Sequence, residues 1–178
     1  MHYGKRQSVL LTGYRATGKT FVGKMLAARL GCLFVDADEV IAERENAQIA
    51  ELVAEHGWKA FRRLEQSFLA EMAEPSPKVL AVGGGAIEHG TVWQALKPFY
   101  LVVWLQADVH TIMERMAGDQ KTAQQRPALT AHGLEQEIVE VLNRRIPLYA
   151  KGSDLVLDTA AYTPAELVDS ICNQMNQR

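Results

Sequence analysis

The sequence predicts an α/β domain in which a parallel β-sheet is covered by helices on both faces. Two observations predict this fold class. Short apolar runs alternate along the chain with segments of helical periodicity, the order expected of β-α-β units. The apolar runs are continuous and do not alternate with polar residues, as in strands buried on both faces. Because 178 residues is a typical length for one domain, we expect a single domain over residues 1–178.

Five short apolar segments are predicted to form the strands of the sheet. They cover residues 8–12, 33–35, 79–82, 100–105 and 155–157. Each segment is shorter than a typical helix and is rich in the residues that favour strands. Gly13 follows the first segment directly, which predicts a tight turn at the carboxyl end of that strand.

Helices are predicted between the strands, where apolar residues recur every three or four positions. They cover residues 19–30, 49–56, 58–73, 109–116, 134–145 and 164–175. Gly31 is expected to end the first helix, because glycine readily adopts the left-handed conformation of a C-cap. Residues 117–132 are polar and aperiodic, so a surface loop is expected there. The length of this loop favours a lid at about residues 117–133.

The composition excludes several classes of protein. Apolar residues make up 48% of the chain and charged residues 22%, as in ordinary soluble domains and unlike disordered or disulfide-rich chains. The net charge of −2 creates no positive field, so neither nucleic acid nor a membrane is expected as a partner. Cys32 and Cys172 form no CxxC pair and are expected to be packing thiols. Without a visible signal peptide, membrane span or heptad seam, we expect a cytoplasmic monomer.

The strongest motif lies between the first predicted strand and the first predicted helix. Residues 13–20, GYRATGKT, match GxxxxGK[ST], a loop whose backbone N–H groups surround phosphates at a helix N-terminus. Lys19 is expected to reach the β and γ phosphates, and Thr20 to offer its hydroxyl to Mg²⁺. Arg15 lies inside the loop, where it either adds charge near the γ phosphate or points outward into solvent.

Two carboxylates, Asp36 and Asp38, follow the second predicted strand and have two interpretations. In the first, they cap the helix that follows and favour its positive end. In the second, one carboxylate holds a magnesium-bound water while the other points at an acceptor hydroxyl. Phosphoryl transfer needs such positioning more than it needs a strong base.

Three further segments carry groups that an anion site could use. Arg62 and Glu65 lie three residues apart on one face of a predicted helix, where they could equally be a surface ion pair. Residues 82–87, VGGGAI, follow the third strand, and their glycines allow a ligand to approach the backbone closely. Arg126 and Arg145 would be surface arginines if taken singly. Together these residues predict a magnesium-dependent kinase for a small acid that bears a hydroxyl.

Seven motifs, read in order, resemble those of the shikimate kinase family, in the nucleoside-monophosphate-kinase-like branch of P-loop proteins. They are GYRATGKT, DAD, FRRLE, VGGGA, QRPAL, RRIPLY and LDTAAYTP, and the similarity runs from about Val9 to the C-terminus. The resemblance implies a three-layer P-loop kinase fold with a five-stranded parallel sheet in the order 2-3-1-4-5. It also implies transfer of the γ-phosphate of ATP to the 3-hydroxyl of shikimate, with Mg²⁺, on the pathway to aromatic amino acids.

The resemblance further implies roles for residues at the nucleotide. Lys19 and Thr20 would hold phosphates and the metal, and Asp36 would act on the metal through water. Arg126 would close over the phosphates as a lid arginine and exclude water. The implied ATP contacts, among which Arg115 and Pro164 flank adenine, are Gly13, Arg15, Ala16, Thr17, Gly18, Lys19, Thr20, Phe21, Arg115, Arg126 and Pro164.

At the acceptor, the resemblance implies that an aspartate binds the shikimate hydroxyls and orients or deprotonates the attacking one. Two arginines would bind the shikimate carboxylate, with Glu65 holding the first of them in place. Two glycines of VGGGA would bring backbone N–H groups to the ring substituents. The implied acceptor residues are Asp38, the arginines Arg62 and Arg145, and the glycines Gly84 and Gly85.

The sequence departs from the family pattern at a few positions. Ala16 stands where the family often has glycine, and Asn46 stands where glycine is usual before the helix at residue 49. Alanine is small, and asparagine tolerates the left-handed conformation better than other residues do. The lid motif reads RPAL instead of RPLL, which could alter lid packing. Trp58 is unusual at its position, and packing in the core or at the rim of the site is expected for it.

Two other functions stay open on the sequence alone. A gluconate or nucleotide kinase would share the phosphate loop, but Arg62, VGGG and Arg145 as a set match the shikimate pattern. A nucleotide-binding regulatory module without catalysis would have lost at least one residue that carries the reaction. All five are present: Lys19, Asp38, Arg62, Arg126 and Arg145.

Overall fold

The computed structural model describes residues 8–118 and 133–177, and its five strands form one parallel sheet in the order β2-β3-β1-β4-β5. The strands are β1 (Ser8–Thr12), β2 (Leu33–Asp36), β3 (Lys78–Ala81), β4 (Tyr100–Gln106) and β5 (Leu155–Asp158). In the central strand β1, Leu10 pairs with Leu80 of β3 on one side and with Val102 of β4 on the other. The predicted strands and their order in the sheet are confirmed.

Seven α-helices and one 3₁₀ turn lie within the described ranges. They are α1 (Lys19–Leu30), α2 (Ala37–Glu45), α3 (Ile49–Glu71), the turn (Ala86–Glu88), α4 (Gly90–Leu96), α5 (Val109–Gly118), α6 (Leu134–Gly152) and α7 (Pro164–Asn176). The two helices predicted over residues 49–73 form the single element α3, which is broken at Gly57 by a left-handed φ of 77°. The helix α4 was not predicted, because its seven residues are too short to show a period.

The helices cover both faces of the sheet, so the predicted three-layer arrangement is confirmed. One face packs against α1 and α7, where Leu11 meets Leu26 and Ile171 in a single apolar cluster. The other face packs against α2, α3, α4 and α6, where Leu10 shares a cluster with Phe68. Residues of β1, β3 and β4 are buried almost completely, in agreement with their continuous apolar sequences.

The predicted end of helix α6 at residue 145 is wrong, since the helix runs through Pro147 to Gly152. Pro147 lies on the exposed side, where water can bond the carbonyl that the missing N–H leaves unpaired. Two residues further on, the fully buried Tyr149 stacks on Trp104 with 5.4 Å between ring centroids. Tertiary packing of the last turns therefore outweighs the local tendency of proline to end a helix.

The predicted lid at residues 117–133 falls mostly outside the described residues, which resume at Gly133. Residues 117 and 118 belong to the end of α5 and not to a loop. Within the described part of the chain, no helix is long and apolar enough to span a membrane. Cys32 and Cys172 are free thiols that pack against the apolar cluster of α1 and α7, and burial raises the pKa of both.

Two residues other than glycine adopt positive φ in the described ranges. Asn46 has φ 50° and ψ 37° as the C-cap of α2, and its N–H faces the carbonyls of Ala42 and Glu43. This is the left-handed conformation that the sequence predicted. Ala16 has a φ of 60°, a left-handed conformation that glycine adopts more easily than alanine. The glycine that is common there in the family would therefore suit the backbone conformation as well as the small space.

We predict that Asn46→Val lowers the free energy of unfolding by about 1–2 kcal/mol, because a β-branched side chain opposes the left-handed conformation. Asn46→Gly should keep the stability of the wild-type protein. Urea denaturation measures both changes. Glu45→Val, at an exposed residue in the last turn of the same helix, is the control and should cost no more than about 0.5 kcal/mol. Equal losses for the two valine variants would contradict the prediction.

Candidate active site

The phosphate loop connects β1 to α1 and is shaped by left-handed backbone conformations. Gly13 has a φ of 140°, Ala16 of 60° and Gly18 of 88°. A Cβ at Gly13 would collide with the backbone carbonyl of Leu105, so only glycine fits there. Thr17 stabilises the curl by donating its hydroxyl hydrogen to the carbonyl of Tyr14 at 2.8 Å. The loop thus forms the concave backbone that favours anions at the N-terminus of α1.

Lys19, the first residue of α1, folds back over this loop. Its Nζ atom donates to the carbonyl of Gly13 at 2.9 Å and to that of Tyr14 at 2.7 Å. The side chain is buried, with 9% of its surface exposed. The ammonium group is therefore held at the loop itself and does not extend into solvent.

Thr20 and Asp36 meet beside the loop. The Thr20 hydroxyl donates to Asp36 Oδ2 at 2.8 Å, while Asp36 Oδ1 accepts from the backbone N–H of Asp38 at 3.1 Å. Asp36 is thus the N-cap of α2, which confirms the capping interpretation for this residue. The same contacts also bring its carboxylate to the phosphate loop, so the two interpretations are compatible. A hydroxyl and a carboxylate are oxygen ligands of the kind that Mg²⁺ prefers.

A pocket lies next to the phosphate loop, at the carboxyl ends of β1 and β3. Asp38, which does not act as the cap, lines it together with Arg15, Arg62 and Arg145. Trp58 also lines this pocket and packs, half-buried, against the cluster that contains Leu10 and Phe68, in agreement with the expected packing in the core or at the rim. The side chains come from four elements of the fold, and each of the three arginines is paired with a glutamate.

The first pair is Arg62 with Glu65, which the sequence predicted. Arg62 donates from Nη1 to Glu65 Oε2 at 2.6 Å. The guanidinium carbon also lies 5.3 Å from the centroid of the Trp58 ring, within cation–π range. Glu65 is fully buried, and its Oε2 atom lies 2.8 Å from Nε2 of His89. Its other oxygen has no hydrogen-bond partner among the described residues.

The second pair is Arg145 with Glu88, a glutamate that the sequence analysis missed. Arg145 donates to Glu88 Oε2 from Nε at 3.2 Å and from Nη2 at 2.9 Å. Arg144 donates from its Nε to the other oxygen, Oε1, at 2.8 Å. Burial alone would raise the pKa of Glu88, but the charges and hydrogen bonds of Arg145 and Arg144 outweigh it and hold that pKa below its usual range. Glu88 is therefore ionised at neutral pH.

The third pair is Arg15 with Glu137, which lies in the first turn of α6. Only 8% of the Arg15 side chain is exposed, so the expectation that it points outward into solvent is wrong. Its guanidinium carbon lies 5.4 Å from the centroid of the Tyr14 ring. Burial raises the pKa of Tyr14, although the charge of Arg15 opposes this shift. Contact of Arg15 with the γ phosphate stays a prediction.

The three glycines of VGGGA leave room for the protein's own polar side chains. A Cβ at Gly83 would lie 2.7 Å from Oε1 of Glu65, and one at Gly85 would overlap the guanidinium of Arg62. Gly84 faces Tyr149, whose hydroxyl donates to the carbonyl of Gly84. Burial raises the pKa of Tyr149 far above its usual value, so this hydroxyl stays a donor. The sequence predicted close approach of a ligand here, and the structure adds close approach of these side chains.

The residues expected at adenine lie on the other side of the phosphate loop. Arg115 donates to the carbonyl of Ala16 at 3.3 Å and to the hydroxyl of Thr159 at 2.8 Å, and so joins the loop to the segment after β5. Pro164 is the exposed first residue of α7, and Phe21 is 62% exposed on α1. Arg126 lies outside the described residues. The predicted ATP contacts of all four side chains stay predictions.

The sequence analysis missed three residues that contact the side chains lining the pocket: Glu88 at Arg145, Glu137 at Arg15 and His89 at Glu65. Glu88 and His89 follow the three glycines without any pattern of their own, and Glu137 is one of several acids at the start of α6. Tyr149 lies inside the motif RRIPLY, so its position in a family motif was the one available signal. The other three residues contact side chains far away in the sequence, and such contacts leave no periodic pattern along the chain.

Comparison with known proteins supports one family. The family model described as "Shikimate kinase" matches residues 15–176. A shikimate kinase of Syntrophus aciditrophicus is 34% identical over 97% of this chain and 92% of its own length. A shikimate kinase of Nitratidesulfovibrio vulgaris is 39% identical over 82% of each chain.

Solved structures give the same result. The structure of shikimate kinase from Acinetobacter baumannii in complex with shikimate has a TM-score of 0.87 and 30% identity, over 96% of this chain and 93% of that one. A gluconokinase from Sinorhizobium meliloti has a TM-score of 0.55 at 16% identity, over 97% of this chain and 93% of that one, which shows a shared fold alone. The family model, the curated relatives and the complex with shikimate agree, and the chain therefore belongs to the shikimate kinase family.

Proposed function

We propose that the protein transfers the γ-phosphate of ATP to the 3-hydroxyl of shikimate, which yields shikimate 3-phosphate and ADP for aromatic amino acid biosynthesis. The observation that carries this proposal is the direct contact between two sites. Asp38 and Arg15 line the acceptor pocket, and Arg15 is also part of the phosphate loop. A phosphate bound at the loop would thus adjoin an acceptor bound in the pocket.

At the nucleotide, Lys19 would exchange its hydrogen bonds with the carbonyls of Gly13 and Tyr14 for the β and γ phosphates. Because the transition state of phosphoryl transfer is loose, its charge is spread over the γ-phosphate oxygens and is stabilised by positioned cations. Lys19 supplies one such cation. Arg126 would supply another as a lid residue.

Mg²⁺ would be held by the hydroxyl of Thr20 and, through water, by the carboxylate of Asp36. Among the described residues no cluster of three or more His, Cys, Asp or Glu could bind a metal by itself. Phosphate oxygens and water would therefore complete the shell, as is common for Mg²⁺. When bound, the ion would neutralise phosphate charge during the transfer.

At the acceptor, Arg62 and Arg145 would bind the shikimate carboxylate, since planar guanidinium groups match a carboxylate in shape and charge. Asp38 would accept a hydrogen bond from the attacking hydroxyl, and either orient it or take its proton. The N–H groups of Gly84 and Gly85 would meet the ring substituents. Asp38, Arg62 and Arg145 belong to helices, while Gly84 and Gly85 lie in the turn between β3 and the 3₁₀ turn.

Cytoplasmic location and a monomeric state are further parts of this proposal, supported by the composition and by the absence of a heptad pattern. The regulatory alternative is disfavoured because Lys19, Asp38, Arg62 and Arg145 retain placements suited to catalysis. A gluconate kinase is disfavoured because Arg62, VGGG and Arg145 as a set match the shikimate pattern, while the similarity to a gluconokinase extends to the fold alone.

The proposal is tested by acceptor-dependent ADP formation with ATP and Mg²⁺. We expect turnover with shikimate and none above the acceptor-free background with gluconate or AMP. Gluconate-dependent turnover without shikimate-dependent turnover would support the sugar-kinase alternative. ATP binding without turnover of any acceptor would support the regulatory module.

We predict that Arg62→Ala raises the KM for shikimate by about 10- to 100-fold, because a charged hydrogen bond to the carboxylate is lost. The KM for ATP should stay within about twofold of the wild-type value, since Arg62 faces the acceptor pocket and not the nucleotide. Steady-state kinetics in both substrates measures the split. Arg63→Ala, at the exposed neighbouring arginine, is the matched control. Parallel rises in both KM values would contradict the assignment of Arg62.

We predict that Asp36→Asn raises the Mg²⁺ concentration needed for half-maximal activity by about tenfold. Asparagine caps helices as well as aspartate does, so the variant keeps the start of α2 while it loses the charge near the metal. Titration of activity with Mg²⁺ at saturating ATP and shikimate gives the shift. Thermal unfolding checks that the helix is intact. An unchanged Mg²⁺ dependence would remove Asp36 from the metal site.

A further inference from the structure

We propose that Glu88 is a positioning residue for Arg145: it binds one edge of the guanidinium and so presents the other edge to the acceptor pocket. This inference deepens the proposed function of that pocket and rests on it. Glu88 belongs to none of the motifs that identify the family in this sequence. Its part in the site follows from the contacts of its carboxylate alone.

The contacts of Glu88 define which edge of Arg145 is engaged. Nε and Nη2 of Arg145 donate to a single oxygen of Glu88, Oε2, at 3.2 and 2.9 Å. These two nitrogens form the side-on edge of a guanidinium, whose donors are fixed in one plane. One hydrogen of Nη1 and the second hydrogen of Nη2 point to the end-on edge. A carboxylate in the pocket can therefore accept from Arg145 while Glu88 stays bound.

Nη1 of Arg145, which forms one end of the end-on edge, lies near the backbone of the pocket. A Cβ placed on Gly84 would lie 3.5 Å from Nη1 of Arg145. A Cβ placed on Gly85 would overlap the guanidinium of Arg62. The two arginines therefore approach adjacent glycines. Each is paired with a glutamate, Glu88 for Arg145 and Glu65 for Arg62.

Burial explains why Arg145 needs such a partner. Only 3% of its side chain is exposed, and an unpaired charge at that depth would be strongly destabilising. Glu88 provides the opposite charge and a direction, which restricts a long side chain that would otherwise lose more entropy on binding substrate. Its pKa, held low mainly by Arg145 despite burial, keeps the carboxylate charged at neutral pH.

The position of Glu88 in the chain adds to this role. Glu88 ends the 3₁₀ turn (Ala86–Glu88) that follows the three glycines directly. The bond from Glu88 to Arg145 thus ties α6 to the backbone segment that would contact the acceptor. Arg144 takes the second oxygen of Glu88 at 2.8 Å from the solvent side, where 60% of its side chain is exposed.

The test compares Glu88→Gln and Glu88→Asp with the wild-type protein by shikimate calorimetry and by kinetics in both substrates. We expect Glu88→Gln to raise the Kd and KM for shikimate by about tenfold, with the KM for ATP nearly unchanged. The thermal midpoint should fall, because Arg145 loses its buried counter-charge. Glu88→Asp, which keeps the charge, should recover part of the affinity. Arg144→Gln is the control, because it removes the other partner of Glu88, and it should change the Kd for shikimate by no more than about twofold.

A second variant separates positioning from a general effect of charge. In an Arg145→Lys background the side-on edge is absent, so Glu88→Gln should have little further effect on the Kd for shikimate. A loss as large in that background as in the wild type would overturn the inference. An unchanged or tighter Kd in Glu88→Gln alone would also overturn it, because Glu88 would then be inert or a competitor of the substrate. Equal rises in the KM values for ATP and shikimate would indicate a structural role and overturn it as well.

The wild-type protein distinguishes the two levels of the proposal. If it neither binds nor phosphorylates shikimate, the proposed function fails and this inference fails with it. If it phosphorylates shikimate and Glu88→Gln behaves as the wild type, the inference alone fails.

Discussion

A guanidinium group buried beside a pocket must be paired with a carboxylate, and the candidate active site of this protein depends on that constraint. Arg15, Arg62 and Arg145 line one pocket, and the side chains of Arg15 and Arg145 are too deeply buried for bulk water to compensate their charge. Each is paired with a glutamate from the surrounding elements. The pairing allows the pocket to hold three cations without unfolding, and it leaves donors free for an anionic acceptor.

The parallel sheet brings these groups together. Because β1 and β3 are neighbours with the same direction, the phosphate loop after β1 and the glycines after β3 emerge at one edge. The glycines then admit side chains that any Cβ would exclude, among them Glu65 at Gly83 and Arg62 at Gly85. In this way the parallel pairing of β1 and β3 brings the phosphate loop and the proposed acceptor pocket together.

Local patterns in the sequence predicted most of the fold and part of the site. The strands were predictable because burial on both faces leaves continuous apolar runs, and Asn46 because few residues tolerate its conformation. The end of α6 was not predictable, since it depends on the stacking of Tyr149 on Trp104 beyond Pro147. The short helix α4 was missed because two buried residues, Trp93 and Leu96, form no period.

The sequence by itself determined the chemistry: a phosphate loop, two carboxylates after β2, and arginines in an order that resembles one family. These are local features, because a loop of eight residues or a pair of aspartates can be recognised from neighbouring positions in the sequence. The local pair of Arg62 with Glu65 could be predicted, whereas only the tertiary structure decided which carboxylates hold Arg145 and Arg15. Glu88 is 57 residues from Arg145, and Glu137 is 122 from Arg15. Such pairs form across the fold, where no spacing along the chain could predict them.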